Sequence, residues 1–150
     1  MIAVDSSALI AILFDEPKTK ALLDRLARAT ERYLSVVSYV ETGTVIAGRL
    51  RDDPAKAIPL LDDFLAELGV RVHPVDEAQM RLALHARIAH GRGVGRRAGL
   101  RRAGAASVAQ AGLNFGDCFA YALAKALDAP LLFAGDDFAA TDLEPALGTS

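Results

Sequence analysis

Four places in this chain put a carboxylate just past a short apolar run or at the head of a helical pattern. Asp5 follows Ile2-Ala3-Val4, and Glu41 follows Tyr33-Leu34-Ser35-Val36-Val37. Asp117 opens the pattern Cys118 to Lys125, and Asp136 and Asp137 follow Leu131-Leu132-Phe133. A charge where a buried strand turns into a helix is costly unless the backbone satisfies it or chemistry needs it. Capping suffices for any one of these acids. Ser38-Tyr39-Val40-Glu41 matches a capping box, Asn114-Phe115-Gly116-Asp117 is a near variant, and a first-turn acid gains about 0.3–1 kcal/mol from the helix dipole. Asp137 reads equally as a turn residue, with Asp136 its solvated neighbour. Capping does not explain why successive strand ends should deliver carboxylates to one edge of a sheet.

Clustered carboxylates raise one another's pKa unless a cation neutralises them. A hard divalent ion such as Mg²⁺ or Mn²⁺ suits oxygen ligands, keeps several waters, and is held by one or two carboxylates directly. Zinc is disfavoured, because His73, His85 and His90 lack zinc-ligand spacing and there is a single cysteine. An ion so held can activate water and stabilise the leaving oxygen of a phosphodiester, the logic of metal-dependent nucleases. Competing motifs are missing from the sequence: no G-x-x-x-x-G-K-[ST], no G-x-G-x-x-G after a strand, no G-x-S-x-G. Aspartyl-phosphate hydrolases also carry a strand-end aspartate, but they need a second acid two residues later, where this chain has Ser7.

The elements that must position these acids alternate. Short β-branched runs fall around 2–4, 34–37, 70–75 and 131–133, and helical spacing covers about 6–13, 17–30, 38–51, 59–68, 76–90 and 115–127. Buried strands joined by helices imply a parallel sheet in a three-layer α/β sandwich, with ligands at the carboxyl ends of the strands. The 150 residues fit one domain with a core of its own. At 52% hydrophobic the composition is that of a globular chain, yet no apolar run reaches the roughly 20 residues of a membrane span. The amino terminus lacks a basic n-region, and Asp5, Asp15 and Glu16 break its apolar stretch, so a cytoplasmic protein is expected. Cys118 has no disulfide partner and reads as a small core residue.

The net charge of -2 conceals an asymmetry, since residues 87–116 hold Arg87, Arg92, Arg96, Arg97, Arg101 and Arg102 and no acid. The Gly/Ala/Arg-rich stretch at about 91–112 resists assignment and contains Ala98-Gly99-Leu100, echoed by Ala111-Gly112-Leu113, which reads as an insertion or short duplication. Two readings stay open: a disordered, sequence-tolerant insert, or a segment whose arginines hold a phosphate backbone.

On these residues the chain resembles a PIN-domain ribonuclease of the VapC toxin type. The opening Ile2-Ala3-Val4-Asp5-Ser6-Ser7-Ala8-Leu9, the segment Ser35 to Glu41, the run Ala111 to Ala124 containing Asn114-Phe115-Gly116-Asp117-Cys118, and the closing Pro130 to Phe138 each match a family segment. The resemblance implies a single domain over 1–150 with a PIN-like three-layer α/β/α sandwich and a short, mainly parallel central sheet. It implies that Asp5 and Asp117 are the metal ligands, for Mg²⁺ or alternatively Mn²⁺. Glu41 would complete the acidic pocket, Asp136 would be the fourth acid with Asp137 the alternative, and Ser6 would hydrogen-bond within the cluster. Phe119 and Tyr121 are expected to pack their helix. Arg92, Arg96, Arg97, Arg101 and Arg102 are candidate RNA contacts. The implied activity is hydrolysis of RNA by metal-activated water, leaving a 5'-phosphate and a 3'-hydroxyl, by a homodimeric toxin held inactive by a VapB-like antitoxin. The 91–112 segment departs from the short basic loop of the family. Two rivals remain: a catalytically weak PIN-like module that binds RNA or antitoxin, and a metal-dependent phosphatase for small phosphoesters.

Overall fold

The structure, a computed structural model, describes residues 1–92 and 112–148. The expectation of an insert at 91–112 therefore falls almost wholly outside the described residues, as do Arg96, Arg97, Arg101 and Arg102. Four short strands, β1 (Ile2–Val4), β2 (Arg32–Ser35), β3 (Arg71–His73) and β4 (Leu131–Leu132), form one parallel sheet in the order β3-β2-β1-β4. Between them run α1 (Ser6–Leu13), α2 (Thr19–Arg28), α3 (Val36–Arg49), α4 (Ala57–Leu68), α5 (Glu77–His90) and α6 (Phe115–Ala126).

The pleat of β1 sorts the core into two halves. Ile2 and Val4 face a cluster with Leu9, Leu22, Leu34, Ile46, Leu61 and Leu65, which α1, α2, β2, α3 and α4 supply. Ala3 faces the other way, onto Leu113, Ala120, Leu123 and Leu131, with Ala83 and Ala86 of α5 behind them. The sheet thus lies between two helical layers, the three-layer α/β/α sandwich expected. Each fully buried leucine contributes about 1.5–3 kcal/mol of transfer free energy, so the small residues of α6 matter as much by letting α5 and β1 approach. The two sides of the 91–112 segment are pinned together: the Arg92 N–H donates to the Leu113 carbonyl at 3.1 Å and the Leu113 N–H to the His90 carbonyl at 3.0 Å.

One boundary differs from the sequence reading in a way that bears on the site. The strand expected at 34–37 lies at 32–35, and α3 begins at Val36 rather than 38. Ser35, extended at φ -64° and ψ 145°, caps the helix by accepting the Val37 N–H at 3.3 Å. Ser38 is therefore inside the helix and buried, and the Ser38 to Glu41 capping box does not form. Glu41 sits in the second turn, free of any capping duty. The Asn114 to Asp117 box does form, each side chain accepting the other residue's backbone N–H.

Candidate metal and nuclease site

Three helices, α1, α3 and α6, bring their amino-terminal turns to the carboxyl edge of the sheet, and each delivers one carboxylate. Asp5 is 1% exposed and caps α1. Its Oδ2 takes both donors of Ser7, the backbone N–H at 2.9 Å and the hydroxyl at 2.5 Å. Ser7 Oγ in turn accepts the Ala134 N–H at 3.0 Å, tying the start of α1 to the loop after β4. Asp5 Oδ1 is buried and has no hydrogen-bond partner among the described residues. Burial pushes the Asp5 carboxyl up to about 7; the two Ser7 bonds oppose the rise, and the charges of Asp117 and Glu41 add to it.

Glu41 reaches the cluster from α3, where the Ser6 hydroxyl donates to its Oε2 at 2.7 Å. The approach of Glu41 to α6 depends on Gly116. A Cβ built on Gly116 would lie 2.6 Å from Glu41 Oε2 and 3.0 Å from its Cδ, so only a glycine backbone leaves room for this carboxylate. Asp117 is 5% exposed and its Oδ2 accepts the Asn114 N–H at 2.6 Å. Its carboxyl is also raised, first by burial and then by the charges of Asp137 and Glu41, against the Asn114 bond and the Arg92 charge that lower it.

The pair after β4 divides. Asp137 acts electrostatically on Asp117, and its Oδ1 accepts from Arg92 Nη2 at 3.1 Å. Arg92 also donates through Nε to the Gly112 carbonyl at 2.5 Å, so it bridges the approach to α6 and the loop after β4. Asp136 instead borders a cavity of about 550 Å³ with Lys18, Phe133, Phe138 and Leu143, on the α2 side. The structure thus links Asp5, Glu41, Asp117 and Asp137 with Ser6, Ser7 and Arg92, while Asp136 lines the neighbouring cavity.

Gly116 and Ser7 shape the acidic cluster, and the sequence reading did not single them out as part of it. Ser7 stood out only as a missing acid. A glycine in the first turn of a helix, where it is a poor helix former, was the available signal for Gly116. Tyr121 packs as expected, buried and donating to Asp142 at 2.6 Å; Asp142, held at about 2 by bonds from Lys125 and Tyr121, braces the far side of α6. Cys118 is buried with its thiol donating to the Asn114 carbonyl at 3.1 Å, and burial raises its pKa.

The donor set fits a hard cation. An orphaned carboxylate oxygen, two acids raised by burial and mutual repulsion, and oxygen as the sole ligand type are what a divalent ion relieves. Among the described residues no three acidic, His or Cys side chains close around one point, so an ion here would complete its shell with water.

The PIN domain family matches residues 2–144 of the chain. The chain is similar to ribonuclease VapC28 of Mycobacterium tuberculosis, 42% identical over 144 residues that make up 96% of each. The two chains are therefore nearly equal in length. Among solved structures it resembles VapC20 of Mycobacterium tuberculosis, a toxin that cleaves the sarcin-ricin loop, with a TM-score of 0.64 at 16% identity over 95% of this chain and 96% of that one. A toxin–antitoxin complex from Klebsiella pneumoniae aligns with a TM-score of 0.60 at 12% identity over 95% and 93%. Both likenesses are likenesses of fold. The chain belongs to the PIN-domain family and, within it, to the VapC ribonucleases.

Proposed function

We propose that this chain is a Mg²⁺-dependent endoribonuclease toxin of a toxin–antitoxin pair, with Mn²⁺ able to substitute. The reading rests above all on Asp5, whose Oδ1 is buried without a partner while its carboxyl shares the field of Asp117 and Glu41. Asp5 and Asp117 would hold the ion, which when bound supplies the positive charge that activates water and offsets charge on the phosphodiester. Glu41, oriented by Ser6 and seated against Gly116, completes the pocket and is placed to accept a proton from the attacking water. Asp137 is the better fourth acid, because it pairs with Arg92 at the approach to α6 and its charge reaches Asp117. Arg92 holds Asp137 in place and, with Arg96, Arg97, Arg101 and Arg102, would contact RNA phosphates.

The same reading extends to partners. The likeness to the Klebsiella complex supports a VapB-like antitoxin as the inhibitor. Met80, Leu84 and Ile88 make an exposed apolar stripe along α5, a surface suited to a homodimer. A cytoplasmic location accords with a described structure in which no helix is long and apolar enough to cross a membrane.

Asp117→Asn tests the assignment in antitoxin-free protein. Asparagine keeps an oxygen for the Asn114 N–H, so the cap and the fold survive, while Mg²⁺-dependent cleavage of RNA is lost. A variant that cleaves as well as its parent would sink the metal-site reading.

A further inference from the structure

We propose that Phe115 is a stacking platform for an RNA base beside the scissile phosphate, an inference that rests on the ribonuclease reading above. Phe115 is the first residue of α6, two before Asp117, and it is 71% exposed. A phenylalanine this open forgoes the burial that ordinarily keeps the ring inside. Its orientation is nevertheless fixed: Phe119, one turn on, packs at 5.1 Å between ring centroids and 62° between planes, a T-shaped contact that leaves most of the Phe115 ring to solvent.

The ring borders an open groove of about 610 Å³, flanked by Val36, Val37 and Val40 of α3, with Glu41, Asn114 and Gly116 also lining it. The volume is ample for a nucleobase. Glu41 thus belongs to both the groove and the acidic cluster, so whatever fills the first lies against the second. An apolar protein surface laid here would strand the Glu41 charge. A nucleotide does not, because its phosphate is drawn to the cluster with its own cation while its base lies on Phe115 and Val40. Stacking on a phenylalanine accepts any base, which suits selection of an unpaired nucleotide over a particular letter.

The experiment uses the full chain and a series of single-stranded RNA oligonucleotides, identical but for the position of one 2-aminopurine, in Ca²⁺ for binding and in Mg²⁺ for cleavage. One position should be quenched on binding, adjacent to the cut that Mg²⁺ then produces. Phe115→Ala should abolish that quenching and raise KM by roughly five- to a hundredfold with kcat little changed, and Phe115→Tyr should restore both. Parental quenching and KM in Phe115→Ala overturn the platform. So does a Phe115→Ala chain whose only change is in mass by light scattering or in antitoxin affinity, which would make the patch a protein contact. The ribonuclease reading fails separately: position-specific quenching by a parent that cuts no RNA in Mg²⁺ or Mn²⁺ keeps the platform and removes the nuclease.

Discussion

Replacing Asp5 by asparagine should stabilise the metal-free protein in alkaline solution and destroy its response to Mg²⁺. The folded chain holds the Asp5 proton up to about pH 7, whereas the unfolded chain releases it near 3.8. Between those values the native state binds more protons, so the sign is fixed: this group makes metal-free stability fall as pH rises through the window, reversing the usual behaviour of a paired carboxylate. The gap of about three pH units corresponds to about 4 kcal/mol above pH 8. Asparagine removes that penalty and can still accept both Ser7 donors through its Oδ1. Its Nδ2 then occupies the place of the orphaned oxygen, and leaving that group unpartnered costs about 1–3 kcal/mol. The net gain is about 1–3 kcal/mol above pH 8, or roughly 3–10 °C in Tm for a chain of this size. Near pH 4.5 the parent is largely protonated, and the variant should be no more stable than it. Thermal melts by circular dichroism in EDTA from pH 4.5 to 8.5 measure this, followed by Mg²⁺ titration at pH 8, where the parent gains Tm and Asp5→Asn does not. A Tm difference independent of pH, or a less stable variant at pH 8.5, would refute the claim that a buried charge is held here against its own desolvation.

Three further outcomes follow from the geometry. Gly116→Ala places a Cβ where Glu41 Oε2 now lies at 2.6 Å; displacing that carboxylate should cost about a hundredfold in kcat. The same change improves helix propensity by up to about 1 kcal/mol, so Tm should hold or rise by up to about 4 °C while initial-rate cleavage collapses. Asp137→Asn should slow cleavage tenfold or more by the usual scale of an electrostatic contribution, with Asp136→Asn near the parental rate; equal effects in a side-by-side assay would remove the distinction. Arg92→Ala should weaken RNA binding and reduce the slope of log K against log salt by about 0.7, the share of one neutralised phosphate on a single strand. An unchanged slope in fluorescence-anisotropy titrations would leave Arg92 as a brace for Asp137 alone.

The layered fold and three of the acids were legible because each depends on local alternation. A β-branched run followed by a helical pattern fixes a strand-to-helix junction, and Asp5, Glu41 and Asp117 all stand near one. Other features were decided by residues far away in sequence. Whether Ser35 or Ser38 begins α3 depends on the register of β2, where Leu34 pairs with Val72 and Ser35 with His73. Asp136 and Asp137 are interchangeable as letters, and the path of the turn after β4 selects the one that meets Arg92. Gly116 is defined by what comes close to it, a carboxylate from another helix, and Phe115 by what does not cover it.

The two explanations that the sequence set in opposition, a capping role and a metal-binding role for the same acids, are compatible, because they would draw on different atoms. Asp5 spends Oδ2 on the first turn of α1 and keeps Oδ1 bare; Asp117 spends Oδ2 on the Asn114 N–H inside its capping box. The cap is what makes the free oxygen useful. A carboxylate clamped by two donors at one oxygen loses little further freedom when its other oxygen meets a cation, and the bonds from Ser7 lower the cost of holding it ionised. Glu41, which caps nothing, needs a substitute for that clamp, and the Ser6 hydroxyl and the bare backbone of Gly116 supply it. Carboxylates at helix starts are thus a means of building a rigid acidic pocket, and sequence patterns alone cannot separate the two roles because a cap uses one oxygen of the side chain and leaves the other to a cation.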